Sequence, residues 1–242
     1  MLGVNLSGTS LSEVLGEIEA RVARRPLVIF TPNPEFLVHA YHHSEFARLL
    51  NQADYNLPDG VGIIIWQRIW RLVRAHRDAP LHRVSGSLLA EKLLALANQH
   101  HWQIGIAGAR RGDQAQQKCQ LARLRERFPC LRVVNLDEKL EIRNLKLEIV
   151  FGCHGMVKQE EWILAHKDKI KGSVFVGVGG SLDYLTGFAP KPSAWVRRGG
   201  VEWLWRLITR PGHLPRVLRA VFEFSWLMVN EITRFESIDQ RK

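Results

Sequence analysis

Apolar positions along this chain keep two alternating rhythms. Leu11, Val14, Leu15, Ile18 and Val22 share one face of a helix over residues 11–24, with Ser10 or Ser12 available as its cap. The run Leu27-Val28-Ile29-Phe30 then reads as a strand. A helix around 34–51 follows, and after it an apolar run from Val61 to Ile65. Residues 87–100 carry Leu89, Leu93, Leu94 and Leu96 at helical spacing. Gln103-Ile104-Gly105-Ile106-Ala107-Gly108 reads as a buried strand, followed by a long helix to Arg127. Residues 131–134, 147–151 and 173–178 supply three more strands. Strands separated by helices of this length predict parallel pairing with right-handed crossovers. The fold class expected is α/β, with a Rossmann-like parallel-sheet core flanked by helices and a helical appendage at the C-terminus.

That appendage shows in a change of composition near Trp195, which divides the chain into a core of residues 1–194 and an appendage of 195–242. Trp195, Trp203, Trp205 and Trp226 are four of the eight tryptophans. Arg197, Arg198, Arg206, Arg210, Arg216, Arg219 and Arg234 accompany them. Pro211-Gly212 and Pro215 break the region into two helices, the second over about 216–235. Its apolar residues cover a broad face interrupted by charge, a pattern that lies on a membrane surface but does not cross one. The plain structural alternative is a terminal hairpin packed on the core. Both hold together if one face docks while arginines and tryptophans meet lipid head groups.

Composition narrows the function classes. A formal net charge of +10 attracts polyanions, whether nucleic acid, anionic lipid or phosphorylated substrates. Cys119, Cys130 and Cys153 lack CxxC spacing and cannot all pair, which favours a reducing compartment. The first residues lack the basic and apolar regions of a signal peptide, and no run reaches the roughly 18–20 apolar residues a span requires. A cytoplasmic protein is expected.

Two polar clusters carry the candidate chemistry. Thr31-Pro32-Asn33-Pro34-Glu35 follows the first strand, and Asp59-Gly60 precedes the 61–65 run. Ligands of open α/β sheets sit beyond the carboxyl ends of the strands. Proline on both sides of Asn33 enforces a turn there, and glycine after Asp59 leaves its carboxylate uncrowded. Other constellations are weaker. Gly105-x-x-Gly108-x-x-x-Gly112 is not the dinucleotide fingerprint, and Asp137 falls in a Glu/Lys-rich loop rather than at a strand end. His39, His42 and His43 have metal-compatible spacing without a completing ligand, so solvated histidines are the simpler reading. Arg68, Arg71, Arg74, Arg77 and Arg83 follow Asp59 and read either as a solvated face or as phosphate-facing. The sequence contains no Asp-x-Asp. A diphosphate leaving group would then be neutralised by arginine, lysine or helix N-termini, without a metal.

These clusters, taken with four others, resemble the WecG/TagA/CpsF glycosyltransferase family. Thr31–Glu35 and Leu57-Pro58-Asp59-Gly60-Val61-Gly62 resemble its paired N-terminal signature. Arg83-Val84-Ser85-Gly86-Ser87 is similar to its Arg-x-(Thr/Ser)-Gly stretch. Gly155-Met156-Val157-Lys158-Gln159-Glu160 is similar to its Gly-x-Pro-Lys-Gln-Glu motif. Gly177-Val178-Gly179-Gly180-Ser181-Leu182-Asp183 matches its Gly-rich strand end, and Gly200-Val201-Glu202-Trp203-Leu204-Trp205-Arg206-Leu207 its Trp-Arg segment. The chain departs from the pattern at Leu88, Val157, Lys191 and Gly212.

The resemblance implies an inverting transferase that moves a sugar from a UDP-sugar to a polyprenyl-diphosphate-linked saccharide in bacterial surface-polysaccharide synthesis. The donor sugar would be of N-acetylmannosamine, ManNAcA or glucose type. It implies peripheral attachment to the inner face of the cell membrane, no metal and no nucleic-acid partner, and it is compatible with a homo-oligomer. Asp59 becomes the general base, a group ordinarily anionic at pH 7. Thr31, Asn33, Arg83, Gln159, Glu160 and Arg206 become substrate contacts. Arg197, Arg198, Arg216 and Arg219 face the membrane or the lipid diphosphate. The rival class is a non-catalytic basic module binding a membrane periphery or nucleic acid. Nucleic-acid binders usually place aromatics on a sheet face or recognition helix, whereas here they gather in the terminal helices.

Overall fold

A computed structural model describes residues 1–21, 25–74, 80–138, 145–190, 193, 196, 205 and 214–239. Six strands form one all-parallel sheet: β1 (Leu27–Phe30), β2 (Tyr55–Asn56), β3 (Gln103–Ala107), β4 (Arg132–Asn135), β5 (Lys146–Gly152) and β6 (Lys171–Gly177). Their spatial order is β2-β1-β6-β5-β3-β4, so the chain leaves β1 toward one edge and β3 toward the other. Between these two directions lie the carboxyl ends of β1, β6 and β5, where open sheets place ligands.

Helices cover both faces. α1 (Leu11–Arg21), α5 (Gly86–Gln99), α6 (Gln114–Arg127) and α8 (Ser181–Leu185) lie on one side. α2 (Pro34–His42), α3 (Ser44–Leu50), α4 (Val61–Arg74), α7 (Lys158–His166) and α9 (Leu214–Asp239) lie on the other. The strands show why. In β1, Leu27 and Ile29 enter the first core while Val28 and Phe30 enter the second. Val174 and Val176 of β6 repeat the alternation against Phe175. Strands apolar at every position, with period-two side chains, need a helical layer on each face.

One expectation changes and two segments gain an assignment. The segment 34–51 forms two helices, because His43 is extended (φ −127, ψ 90) and breaks the run. The apolar run 61–65 begins α4; Ile63 is buried while Ile65 is 49% exposed, a helical rather than a strand pattern. The short strand β2, which periodicity does not reveal in two residues, pairs with β1 just before Asp59.

α9 is apolar on opposite sides. Ala220, Phe224, Leu227 and Met228 are buried against α2 and α4, and His42 of α2 meets Glu223 at 2.6 Å. Phe222 (72%) and Trp226 (66%) point to solvent. No helix among the described residues is long and apolar enough to cross a membrane.

Candidate active site

Three chain segments are sewn together around Asp59 by backbone hydrogen bonds. Leu57 N–H donates to the Phe30 carbonyl (2.9 Å), Asp59 N–H to Pro32 (2.8 Å) and Val84 N–H to Pro58 (3.0 Å). The turn closes through Gly60 at φ +129, where a Cβ would also lie 3.3 Å from the Pro34 ring. Only glycine meets both conditions without strain. The Asp-Gly pair is therefore dictated by the turn as well as by chemistry.

The Asp59 carboxylate is half-buried, and its Oδ2 accepts the N–H of Gly86 at 3.1 Å. Gly86 is the first residue of α5. Its amide is among those a helix leaves without an internal partner, and the helix dipole favours negative charge there. Gly86 also lets the segments approach closely, since a Cβ on it would sit 2.8 Å from Thr31 Oγ1 and 3.6 Å from Asp59 Oδ2. Thr31, at the end of β1, donates to the Gly177 carbonyl at the end of β6, at 3.4 Å. Asn33 is the N-cap of α2, and its side-chain oxygen accepts from Glu35 N–H (2.9 Å) and Phe36 N–H (3.3 Å). Thus three of the sequence motifs, at 31–35, 57–62 and 83–87, meet at one point.

Gln159 and Glu160 extend this point across the sheet. Gln159 Oε1 accepts the Gly179 N–H at 2.8 Å, and its amide nitrogen donates to Glu160. Glu160 also accepts Val157 N–H at 2.7 Å. Val157 has φ +73, a strained conformation for a β-branched residue. Glu160 is fully buried, and desolvation pushes its pKa up to about 7 despite the donors from Gln159 and Val157. A Cβ on Gly177 would lie 3.1 Å from the Gln159 amide nitrogen and 3.2 Å from Glu160. The pair therefore braces the Gly-rich end of β6 from below, and Thr31 meets it from the side.

The arginines divide. Arg83 is half-buried beside the anchored Val84. Arg68 is exposed, Arg71 is half-buried with its Nε lacking a partner, and Arg219 is exposed on α9. Arg77, Arg197, Arg198 and Arg206 lie outside the described residues, as do the side chains of Arg74 and Arg216. His42 pairs with Glu223, and His39 packs tilted against the His43 ring at 4.3 Å and edge-on against Phe46 at 5.1 Å. Among the described residues no group of three His, Cys, Asp or Glu side chains could hold a metal ion.

Sequence reasoning missed a second polar cluster, at the ends of β3, β4 and β6. Both oxygens of Asp137 accept the Gly108 N–H (3.0 and 2.9 Å), and Gln117 donates to it at 2.7 Å. Asp137 lies in the turn two residues past β4, in the loop expected, and that turn brings it to the Gly108 amide. Asp183 pairs with Arg110 at 3.0 Å and accepts Gln120 at 3.0 Å. Arg110 stacks on Phe188, as does Arg123. Cys153 is half-buried, and its thiol pKa is pushed well up, by desolvation first and by the charges of Asp183 and Asp137 next. His154 is held below the ordinary imidazole value, mainly by burial. The glycines at 105, 108 and 112 were the visible signal; the long-range partners were not.

An acidic group held at a helix start, on the ligand side of a parallel sheet, with a hydroxyl beside it, is suited to accept a proton from an alcohol. Comparison with known proteins is consistent with such chemistry. The N-acetylglucosaminyldiphosphoundecaprenol N-acetyl-β-D-mannosaminyltransferase of Staphylococcus aureus strain NCTC 8325 / PS 47 is 29% identical over 222 residues, covering 86% of this chain and 83% of its own. The same enzyme of strain MRSA252 is 28% identical over the same shares. The model of the glycosyl transferase WecG/TagA/CpsF family matches residues 1–237. With the match running through every motif that meets around Asp59, the chain belongs to the WecG/TagA/CpsF family and is a glycosyltransferase.

Proposed function

We propose that this enzyme transfers an N-acetylmannosamine-type sugar from a UDP-sugar to a sugar carried on a polyprenyl diphosphate, in the synthesis of a bacterial surface polysaccharide. The observation that carries the reading is the Asp59 carboxylate anchored on the start of α5 beside Thr31. Support for donor and acceptor comes from the relatives, whose name specifies N-acetyl-β-D-mannosaminyl transfer to N-acetylglucosaminyldiphosphoundecaprenol. In this mechanism Asp59 takes the proton of the acceptor hydroxyl as its oxygen attacks the anomeric carbon. The bond to UDP breaks on the opposite face, inverting the centre. The β linkage in the relatives' name fits inversion of an α-linked nucleotide sugar.

Asn33 and Thr31 orient substrate hydroxyls at the carboxyl ends of the strands, while Gln159 and Glu160 hold the β6 end in place. Arg83, Arg206 and the arginines of the appendage offset the charge of the departing UDP and the lipid diphosphate. No divalent cation is required, in keeping with the missing Asp-x-Asp. The enzyme works peripherally at the inner membrane face. A screen of UDP-sugars with a short-chain lipid-diphosphate N-acetylglucosamine tests this. Transfer from UDP-N-acetylmannosamine, unaffected by EDTA, is expected; transfer from a different donor would reassign the sugar, and no transfer to any lipid-diphosphate sugar would overturn the reading.

A further inference from the structure

The side of the molecule formed by α4 and α9 exposes more apolar surface than its core packing requires. On α4, Ile65 and Leu72 lie seven residues apart on one face, with Leu72 83% exposed. Arg68 falls between them on that face. On α9, Phe222, Trp226 and Val229 continue the stripe of Arg219 at spacings of three, four and three. The inward sides of the two helices share one core, where Trp66 and Trp70 of α4 join Phe224, Leu227 and Met228 of α9. α9 packs directly on α4 and both turn their buried sides to this core, so the two exposed stripes lie on the side of the helical layer away from the sheet.

We propose that this two-helix face, and not the C-terminal helix alone, is the surface that seats on the lipid bilayer. The inference rests on the acceptor reading above. Three observations favour a bilayer over a protein partner. Each stripe mixes large apolar side chains with an arginine whose charged end can reach head groups while its stem stays apolar. An exposed tryptophan on such a stripe has the amphipathic ring that interfacial helices use. The chain's net charge of +10 draws it to anionic lipid. The face is also continuous with the site: α4 starts at Val61, two residues after Asp59. Leu72 lies about 16 Å along that helix from its start, so docking through α4 holds the carboxylate within reach of a diphosphate at head-group level.

The test is co-sedimentation of the full chain, without sugar donor, on vesicles of phosphatidylcholine with one-third phosphatidylglycerol. I65S/L72S should lower partitioning about 10-fold or more, the size expected when two aliphatic contacts with an apolar phase are lost. F222S/W226S should do the same. Melting temperature and sedimentation coefficient should be unchanged, since these side chains are exposed. Transfer to a water-soluble short-chain acceptor should persist in I65S/L72S, which separates docking from chemistry. Should either pair unfold the chain, quenching by brominated lipid, compared between the native chain and W226F, reads insertion without them. Unchanged partitioning of I65S/L72S, no Trp226 quenching, or a shift from dimer to monomer in place of lost vesicle binding would each overturn the proposal. Loss of vesicle binding in a chain that transfers no sugar would keep it and reject only the acceptor reading.

Discussion

The ligand side of the sheet carries two acidic clusters built in opposite ways. Around Asp59 the carboxylate is held by backbone: a helix-start amide from Gly86, a turn closed by Gly60, and strand ends sewn together by main-chain bonds. Around Asp137 and Asp183 one backbone amide, that of Gly108, meets Asp137, and side chains do the rest of the holding, with Gln117, Gln120 and Arg110 reaching in from α6 and the turn before it. Backbone anchoring leaves a group rigid and replaceable only at large cost to chemistry. Side-chain anchoring spreads the cost over partners, each of which can be changed singly. The two regions should therefore respond to mutation on different scales.

The largest effect is expected at Asp59. Asp59→Asn keeps the shape and the contact with Gly86 but removes the base, so kcat should fall about 10²–10⁴-fold. UDP-sugar binding by calorimetry and the melting temperature should stay near native. Retained activity would take Asp59 out of the mechanism and leave its anchoring purely structural.

Glu160 belongs to the same region, and burial pushes its carboxyl up to about 7. The unfolded chain releases that proton near the ordinary carboxylate value. Between the two values the folded chain binds more protons, so raising the pH across that window removes stability, and the loss is complete above about 7. The contribution is up to about 3 kcal/mol. Urea midpoints between pH 5 and pH 8 should show the fall in the native chain and a flatter profile in Glu160→Gln. An equal slope in both would place the titration elsewhere.

Gly86 tests whether close approach, and not only composition, makes the site. Gly86→Ala favours the helix by roughly 0.5–1 kcal/mol, but the new methyl would meet Thr31 Oγ1 at 2.8 Å. Activity should drop about 10- to 100-fold through displacement of Thr31 and Asp59, while the melting temperature does not fall. Gly16→Ala on α1, whose Cβ meets nothing within 4 Å, is the control and should leave activity unchanged.

What could be read from the sequence follows the same division. Pro-Asn-Pro and Asp-Gly announce their turns locally, and the all-apolar strands announce a covered parallel sheet, so the fold and the Asp59 rim were legible. β2 was not, because two residues cannot show a period and its place comes from pairing with β1. Nor was the 61–65 run, whose five apolar residues satisfy either period until Trp66, Gln67 and Trp70 extend the helical one. The second cluster was hidden for a different reason. Asp137 meets Gln117 across 20 residues and Asp183 meets Gln120 across 63, and no local rule links such pairs. The C-terminal helix was half legible: its tryptophan and arginine content pointed outward, but docking through Phe224 and His42–Glu223 depends on where α2 lies.

The smallest effect, and the sharpest for the contrast, is the Arg110–Asp183 pair. Its side chains are 22% and 16% exposed, with a separation of 3.0 Å, so the pair is neither a screened surface bridge nor a fully desolvated one. Gln116 also binds Arg110 and Phe188 stacks on it, while Gln120 supports Asp183. Removing one partner leaves the other with these secondary contacts, which limits the cost. A double-mutant cycle with Arg110→Ala and Asp183→Ala, read by urea unfolding, should give a coupling of about 1 kcal/mol. Each single variant should lose more than the coupling, because each also gives up its contacts outside the pair. A coupling near zero would mean that Gln120 and Phe188 alone position this turn. A coupling above about 3 kcal/mol would make the second cluster as rigid as the first and erase the distinction between backbone and side-chain anchoring.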